Sequence, residues 1–197
     1  MKLDKAFYER SDVVEISREL IGKFLCTRMD GHFTSAMITE TEAYCGRNDR
    51  ACHANDGLRT DRTEVMYGPG GVAYVYLCYG IHHLFNVVTN REGLADAVLI
   101  RAVKPEDGID MILKRRKDNT ITPKLSNGPG KLTEALGIRT SHSGTDLREN
   151  NLWIEDRRIE IPSEHIASSP RIGVEYAGEH AKRSWRFNLK DSEWVSR

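Results

Sequence analysis

The chain predicts an α+β fold: a single domain with a curved, partly open antiparallel β-sheet or barrel at its core, helices on its flanks and a protruding β-hairpin. Three observations carry that prediction. Short β-branched and aromatic runs dominate, Asp30-Gly31 and Tyr79-Gly80 supply tight-turn signals between such runs, and the helical stretches are few and do not alternate regularly with the strands. At 197 residues and 39% hydrophobic content, there is apolar material for one sizeable core and too little for two, so residues 1–197 read as one domain.

The elements follow in order. Asp12 and Glu15 have capping-box spacing ahead of Val13, Ile16, Leu20 and Ile21, which recur at helical intervals, so residues 13–21 predict an amphipathic helix. Residues 23–29 read as a strand, Asp30-Gly31 as a two-residue hairpin turn, and residues 33–44 as the returning strand. Alternation along that strand puts Ile38, Glu40, Glu42 and Tyr44 on one face and Met37, Thr39, Thr41 and Ala43 on the other.

Residues 46–71 are polar and turn-rich, the signature of a long ordered loop of the kind that carries function, and His53 lies inside it. Residues 72–78 and 84–88 predict two strands of a hairpin with Tyr79 and Gly80 at its tip. Residues 97–103 predict a further strand, residues 105–117 a helix opened by Pro105, and residues 131–136 a short helix ended by Gly137. Short strands are expected at 152–155, 171–174 and 185–189.

Lys plus Arg and Asp plus Glu both number 29, so no whole-chain field draws the protein to polyanions or anionic membranes. Any affinity for nucleic acid must come from a local patch. One candidate is 101–131, with eight basic residues against four acidic ones, although Lys114 to Lys117 also suits the solvated end of a helix. Cys26, Cys45, Cys52 and Cys78 are scattered, with no C-x-x-C pair, and no signal peptide or membrane-length apolar run is visible. A soluble intracellular protein with reduced thiols is expected. Cys52-His53 and His82-His83 do not make a four-ligand metal pattern, so no metal and no cofactor is expected.

The chemistry concentrates between Thr39 and Asn86, where one stretch holds Glu42, Tyr44, His53, Tyr74, Tyr76 and Tyr79. A lone strand Glu is most often a surface charge, a lone His most often structural, and Tyr74 most simply a core ring. Tyr79 differs, because a ring at a turn has no strand neighbours to cover it, and insertion between bases is one use for an exposed ring. A carboxylate among rings suits activation of water beside a flat ligand such as a nucleobase. Glu40 and Glu42 together also keep open a small-molecule glycoside or nucleoside hydrolase with two carboxylates, and a non-catalytic nucleic-acid-binding module stays open as well.

At these residues the sequence resembles the alkyladenine (3-methyladenine, N-methylpurine) DNA glycosylase family. The resemblance runs from Leu20-Ile21-Gly22 through Glu40-Thr41-Glu42-Ala43-Tyr44, Ala73-Tyr74-Val75-Tyr76, Tyr79-Gly80, Val98-Leu99-Ile100-Arg101-Ala102 and Gly128-Pro129-Gly130-Lys131-Leu132 to Arg171-Ile172-Gly173-Val174 and Trp194-Val195-Ser196. One local departure is Arg62-Thr63 ahead of Met66-Tyr67-Gly68, where relatives often read Arg-Asn.

The resemblance implies a monofunctional glycosylase of base excision repair, which rotates alkylated or deaminated purines out of duplex DNA, hydrolyses the N-glycosidic bond and leaves an abasic site. It makes Glu42 the carboxylate that activates water and sets Arg101 near that water and the DNA backbone. Tyr44, His53 and Tyr76 would hold the flipped base, Asn86 would crowd the exocyclic amine of normal guanine, and Tyr79 would fill the gap in the duplex. Lys131 joins Tyr79 and Arg101 as a DNA contact. The implied partner is double-stranded DNA containing damaged purines, bound by a monomer in the cytoplasm (nucleoid) or nucleus, with no membrane association.

Overall fold

The computed structural model describes residues 1–196. Eight strands form one antiparallel sheet: β1 (Phe24–Met29), β2 (His32–Tyr44), β3 (Ala73–Cys78), β4 (His82–Thr89), β5 (Asp96–Asp107), β6 (Leu152–Glu155), β7 (Ile166–Ser169) and β8 (Arg186–Leu189). Neighbours run β3-β4-β5-β2-β1-β6, with β8 on β2 and β7 on β8. Four helices flank this open sheet: α1 (Lys5–Tyr8), α2 (Val13–Glu19), α3 (Ile109–Arg116) and α4 (Pro129–Leu136).

The first hairpin forms as its turn chemistry dictates. Asp30 and Gly31 both adopt positive φ, at 53° and 77°, which suits the right-handed twist of β1 and β2. Asp12 caps α2 by accepting from the N–H groups of Val14 and Glu15. The helix then lies on β2, where Ser17 Oγ donates to Thr41 Oγ1 at 3.0 Å and Thr41 Oγ1 donates back to Ser17 O at 2.8 Å. Ile16, Leu20, Leu25, Ile38, Phe85, Val98, Ile100 and Leu132 belong to the main apolar core under this face.

Strand β2 organises the sheet. One edge pairs with β5 along most of its length; the other pairs first with β1 (from Met29↔His32 to Phe24↔Met37) and then with β8 (Glu40↔Asn188 to Glu42↔Arg186). The change of partner coincides with a register shift against β5 between Ile38 and Glu40. A bulge there corrects the expected alternation: Ile38 lies in the apolar core, whereas Glu40 and Glu42 enter a polar cluster with Arg101. One extra residue at Thr39 turns the parity over, which regular alternation along the sequence does not anticipate.

Two other expectations are corrected. Pro105 does not open a helix but pairs with Ala36 inside the long β5; the helix begins at Ile109, after Gly108 turns the chain at φ 70° against the backbone of Phe33 and Thr34. Residues 171–174 are an irregular turn, not a strand, because their polar groups bond to side chains and carbonyls of other segments instead of a ladder. Helix α1, strand β7 and the helical turns of Glu175–Lys182 have no counterpart among the expected elements. No helix in residues 1–196 is long and apolar enough to cross a membrane.

Candidate active site

The β3–β4 hairpin projects beyond the sheet with Leu77, Tyr79 and Ile81 exposed at its end. Tyr79 is 92% exposed and sits at φ 51°, followed by Gly80 at φ 73°. A tyrosine in the left-handed region costs about 1–3 kcal/mol, and an exposed ring recovers none of it by burial. Such a residue is a candidate for contact with something outside the chain.

Behind the tip lies a cavity of about 420 Å³, within the about 300–1,000 Å³ typical of small-ligand sites. Tyr74, Tyr76 and Asn86 of the hairpin form one wall; Tyr44, Leu99 and Arg101 of β2 and β5 form the floor; His53 and Arg62 come from the long loop. The opposite wall is Ile172, Gly173, Val174 and Tyr176, of which the first three fall in the segment expected as a strand and none is a candidate site residue from the sequence.

The aromatic residues interlock. Tyr74 and Tyr76, on one face of β3, have ring centroids 5.3 Å apart, and the His53 ring stands edge-on to Tyr76 at 4.8 Å. His53 Nδ1 and Tyr74 Oη share a hydrogen bond of 3.0 Å. Burial, helped by the positive charge of Arg62, pushes His53 down to about 4, so its ring is neutral at physiological pH. Burial likewise pushes the Tyr74 phenol up to about 12 and raises Tyr76, so both remain phenols. The amide nitrogen of Asn86 donates to Tyr74 O at 3.1 Å, which fixes that side chain against the aromatic wall.

Glu42 is fully buried and is not itself one of the residues that line the cavity. Its Oε2 accepts from Tyr44 Oη at 2.7 Å and from Arg101 Nη1 at 3.3 Å; its Oε1 accepts from the backbone N–H of Ile172 at 2.8 Å. All three donors belong to residues that line the cavity. The Tyr44 phenol is raised well above its ordinary value by burial and then by the adjacent Glu42 charge, so it stays a donor. Three donors leave one of the roughly four acceptor positions of a carboxylate for another partner.

Glu40 serves different partners. Its Oε1 accepts from Arg186 Nε at 2.6 Å, Ser196 Oγ at 2.7 Å and Arg101 Nε at 3.2 Å, and its Oε2 accepts from the Ser196 N–H. Neither Arg186 nor Ser196 lines the cavity. With its acceptors so engaged, Glu40 is poorly suited to act as a second acid or base group.

The irregular wall is held by charge. Arg171, itself buried, makes a two-pronged ion pair with the buried Asp49 and also donates to Ala43 O at 2.8 Å. Its guanidinium lies 4.7 Å from the Tyr44 ring centroid and 5.2 Å from that of Trp185. One side chain therefore joins the loop at Asp49, the end of β2 and the segment that carries Ile172.

Lys131 is exposed in the first turn of α4, with Nζ donating to Asn127 Oδ1 at 2.9 Å; the neighbouring Gly130 packs on the ring of His82 in the hairpin. Arg101 is 8% exposed, so its charge serves Glu40 and Glu42 before any external group. In the basic run, Arg115 and Arg116 end α3 and bind Ala135 O and Glu134 within the protein. Among the described residues no cluster of three or more His, Cys, Asp or Glu has metal-binding geometry.

Comparison with known proteins gives a consistent result. The family model described as Methylpurine-DNA glycosylase (MPG) matches residues 6–193. Proteins named "Putative 3-methyladenine DNA glycosylase" are similar over their full length: 44% identity with that of Bacillus cereus over 100% of both chains, and 43% with that of Chlamydia felis over 98% of this chain and 100% of the relative. The relative of the same name from Natranaerobius thermophilus is 41% identical over 100% of this chain and 99% of its own.

Proposed function

The chain belongs to the methylpurine-DNA glycosylase family and is a DNA N-glycosylase, and on that basis we propose that it removes alkylated or deaminated purines from duplex DNA by base flipping and Glu42-directed hydrolysis. The observation that carries the reading is Glu42 itself, a buried carboxylate tied to three residues that line a base-sized cavity below an exposed ring.

A base stacked in a duplex is out of reach of any buried carboxylate, so it must rotate out, and poorly paired lesions cost least to extrude. Tyr79 fills the gap from the minor groove. The extruded purine enters between Tyr44, Tyr76 and His53. A cationic alkylpurine gains about 0.5–2 kcal/mol from the π faces, and a neutral His53 adds no opposing charge. Asn86 would crowd the exocyclic amine of normal guanine.

Glu42 then takes a proton from a water molecule as the water oxygen bonds to the anomeric carbon. The N-glycosidic bond breaks, its electron pair leaves with the base, and the carboxylate offsets the positive charge that develops on the sugar. Among the described residues no lysine lines the cavity, so water is the nucleophile and the product is an abasic site in an uncut strand. A charged base such as 7-methylguanine departs as it stands, whereas neutral hypoxanthine requires protonation, so only the latter loses rate as pH rises. A monomeric, intracellular protein suits this role.

The test is incubation with a labelled duplex carrying hypoxanthine or 7-methylguanine at one position. Free base and strand breaks that appear only after hot alkali are expected. Absence of base release, with binding retained, would instead fit a non-catalytic DNA-binding module.

A further inference from the structure

Two buried carboxylates share one arginine, and only Glu42 has all of its donors among the residues that line the base cavity. Arg101 gives Nη1 to Glu42 Oε2 at 3.3 Å and Nε to Glu40 Oε1 at 3.2 Å, and both carboxylates have 0% exposed side chains. Arg186, 17% exposed, supplies Glu40 with a second cation at 2.6 Å. Ser196 closes the cluster, donating Oγ and its N–H to Glu40 and accepting from Arg101 Nε and Nη2 at 3.3 Å each. Hydrolysis as read above does not call on Glu40, Arg186 or Ser196, yet they enclose the cation that touches the working carboxylate.

From this geometry we propose that Glu40, Arg186 and Ser196 are positioning residues that set how much of the Arg101 charge reaches Glu42, and so fix the pH below which base release fails. The inference rests on the role assigned to Glu42 above. The physical basis is sharing: a guanidinium between two anions in a region closed to water favours whichever is less well compensated elsewhere. Arg186 and Ser196 satisfy Glu40, which leaves Arg101 free to serve Glu42.

The other charged or titratable groups around the pair are Tyr44 on the same strand and Arg171, with Asp49, behind the Tyr44 ring. These are unchanged in the variants below. The two flanking charges therefore act in opposite directions. With Glu40→Gln, an anion is lost and Arg101 turns wholly to Glu42. With Arg186→Gln, Glu40 loses its private cation and draws Arg101 away from Glu42.

Single-turnover base release from a 7-methylguanine duplex, with enzyme in excess and pH varied, reads this directly, since a cationic leaving base brings no protonation step of its own. The acid limb is expected to move to lower pH by about one unit in E40Q and to higher pH by about one unit in R186Q. Limbs that stay at the wild-type pH, or that move the same way in both variants, would overturn the proposal, because a merely structural loss lowers the rate at every pH alike. Should E40Q fail to fold, the direction of R186Q decides alone, the latter being the less buried site. If the wild-type protein releases no base, or E42Q releases as fast as wild type, the reading of Glu42 fails instead, which separates that failure from this one.

Discussion

The two walls of the cavity are built by different physics. The hairpin wall, β3 and β4, is a regular ladder from Ala73↔Val87 to Cys78↔His82, and its cavity-lining residues Tyr74, Tyr76 and Asn86 are placed by backbone pairing. The opposite wall, at residues 171–176, has no ladder; the Arg171–Asp49 ion pair, the Ile172 N–H bond to Glu42 and the Tyr176 bond to Ala51 O at 3.1 Å hold it. A ladder tolerates change at its tip, whereas a wall hung on buried charge depends on a few side chains.

That contrast is sharpest in stability. Arg171→Met should lower unfolding free energy by about 3–5 kcal/mol, since it leaves Asp49 buried and unpaired, and base release should fall with it as Ile172 loses its hold. Chemical denaturation of the variant checks this; a loss under 1 kcal/mol would mean that the wall has support not visible in its contacts. Tyr44→Phe sits between the walls and removes one donor to Glu42. A hydrogen bond to a charged group contributes about 1.5–3 kcal/mol, so a roughly 10- to 100-fold slower single-turnover rate is expected with the fold intact.

On the hairpin side, Tyr79→Ala should leave stability within about 0.5 kcal/mol of wild type, as expected for an exposed site. It should weaken lesion-duplex binding by about 1–3 kcal/mol, the scale of one stacked base. Titration with a fluorescent duplex reads the second quantity; unchanged affinity would remove the ring from the interface.

A pH-dependent effect concerns His53. Its value is about 4 in the fold against an ordinary 6.5, so the unfolded chain takes up the proton first as pH falls. Its contribution to stability is intact above pH 6.5 and is lost progressively between 6.5 and 4. The His53→Gln variant should lose less stability than wild type over that window, and parallel curves would contradict the neutral, partly buried ring.

What the sequence made legible follows the same division. Both hairpins, the Asp12 cap, the Gly137 stop of α4 and the run of aromatic residues on β3 were all readable, because turn residues and periodicity record ladders and helix ends. The carboxylate-bearing strand was readable too, but not its bulge at Thr39, because one inserted residue leaves no compositional mark. Arg171-Ile172-Gly173-Val174 stood out as a matching motif and as an expected strand, without a functional role. Ion pairs such as Arg171 with Asp49, 122 residues apart in the chain, have no local period. Pro105 gave a helix-start signal that was overridden when β5 continued through it to pair with β2.

Hydrolysis as proposed depends on the Glu42 carboxylate. Glu42→Gln keeps the side-chain shape while removing the charge and the base. Single-turnover release of 7-methylguanine should fall at least about 1,000-fold, within the range that general-base catalysis supplies, while affinity for the lesion duplex stays within a few-fold of wild type. Release at an undiminished rate by a folded Glu42→Gln protein would contradict the account.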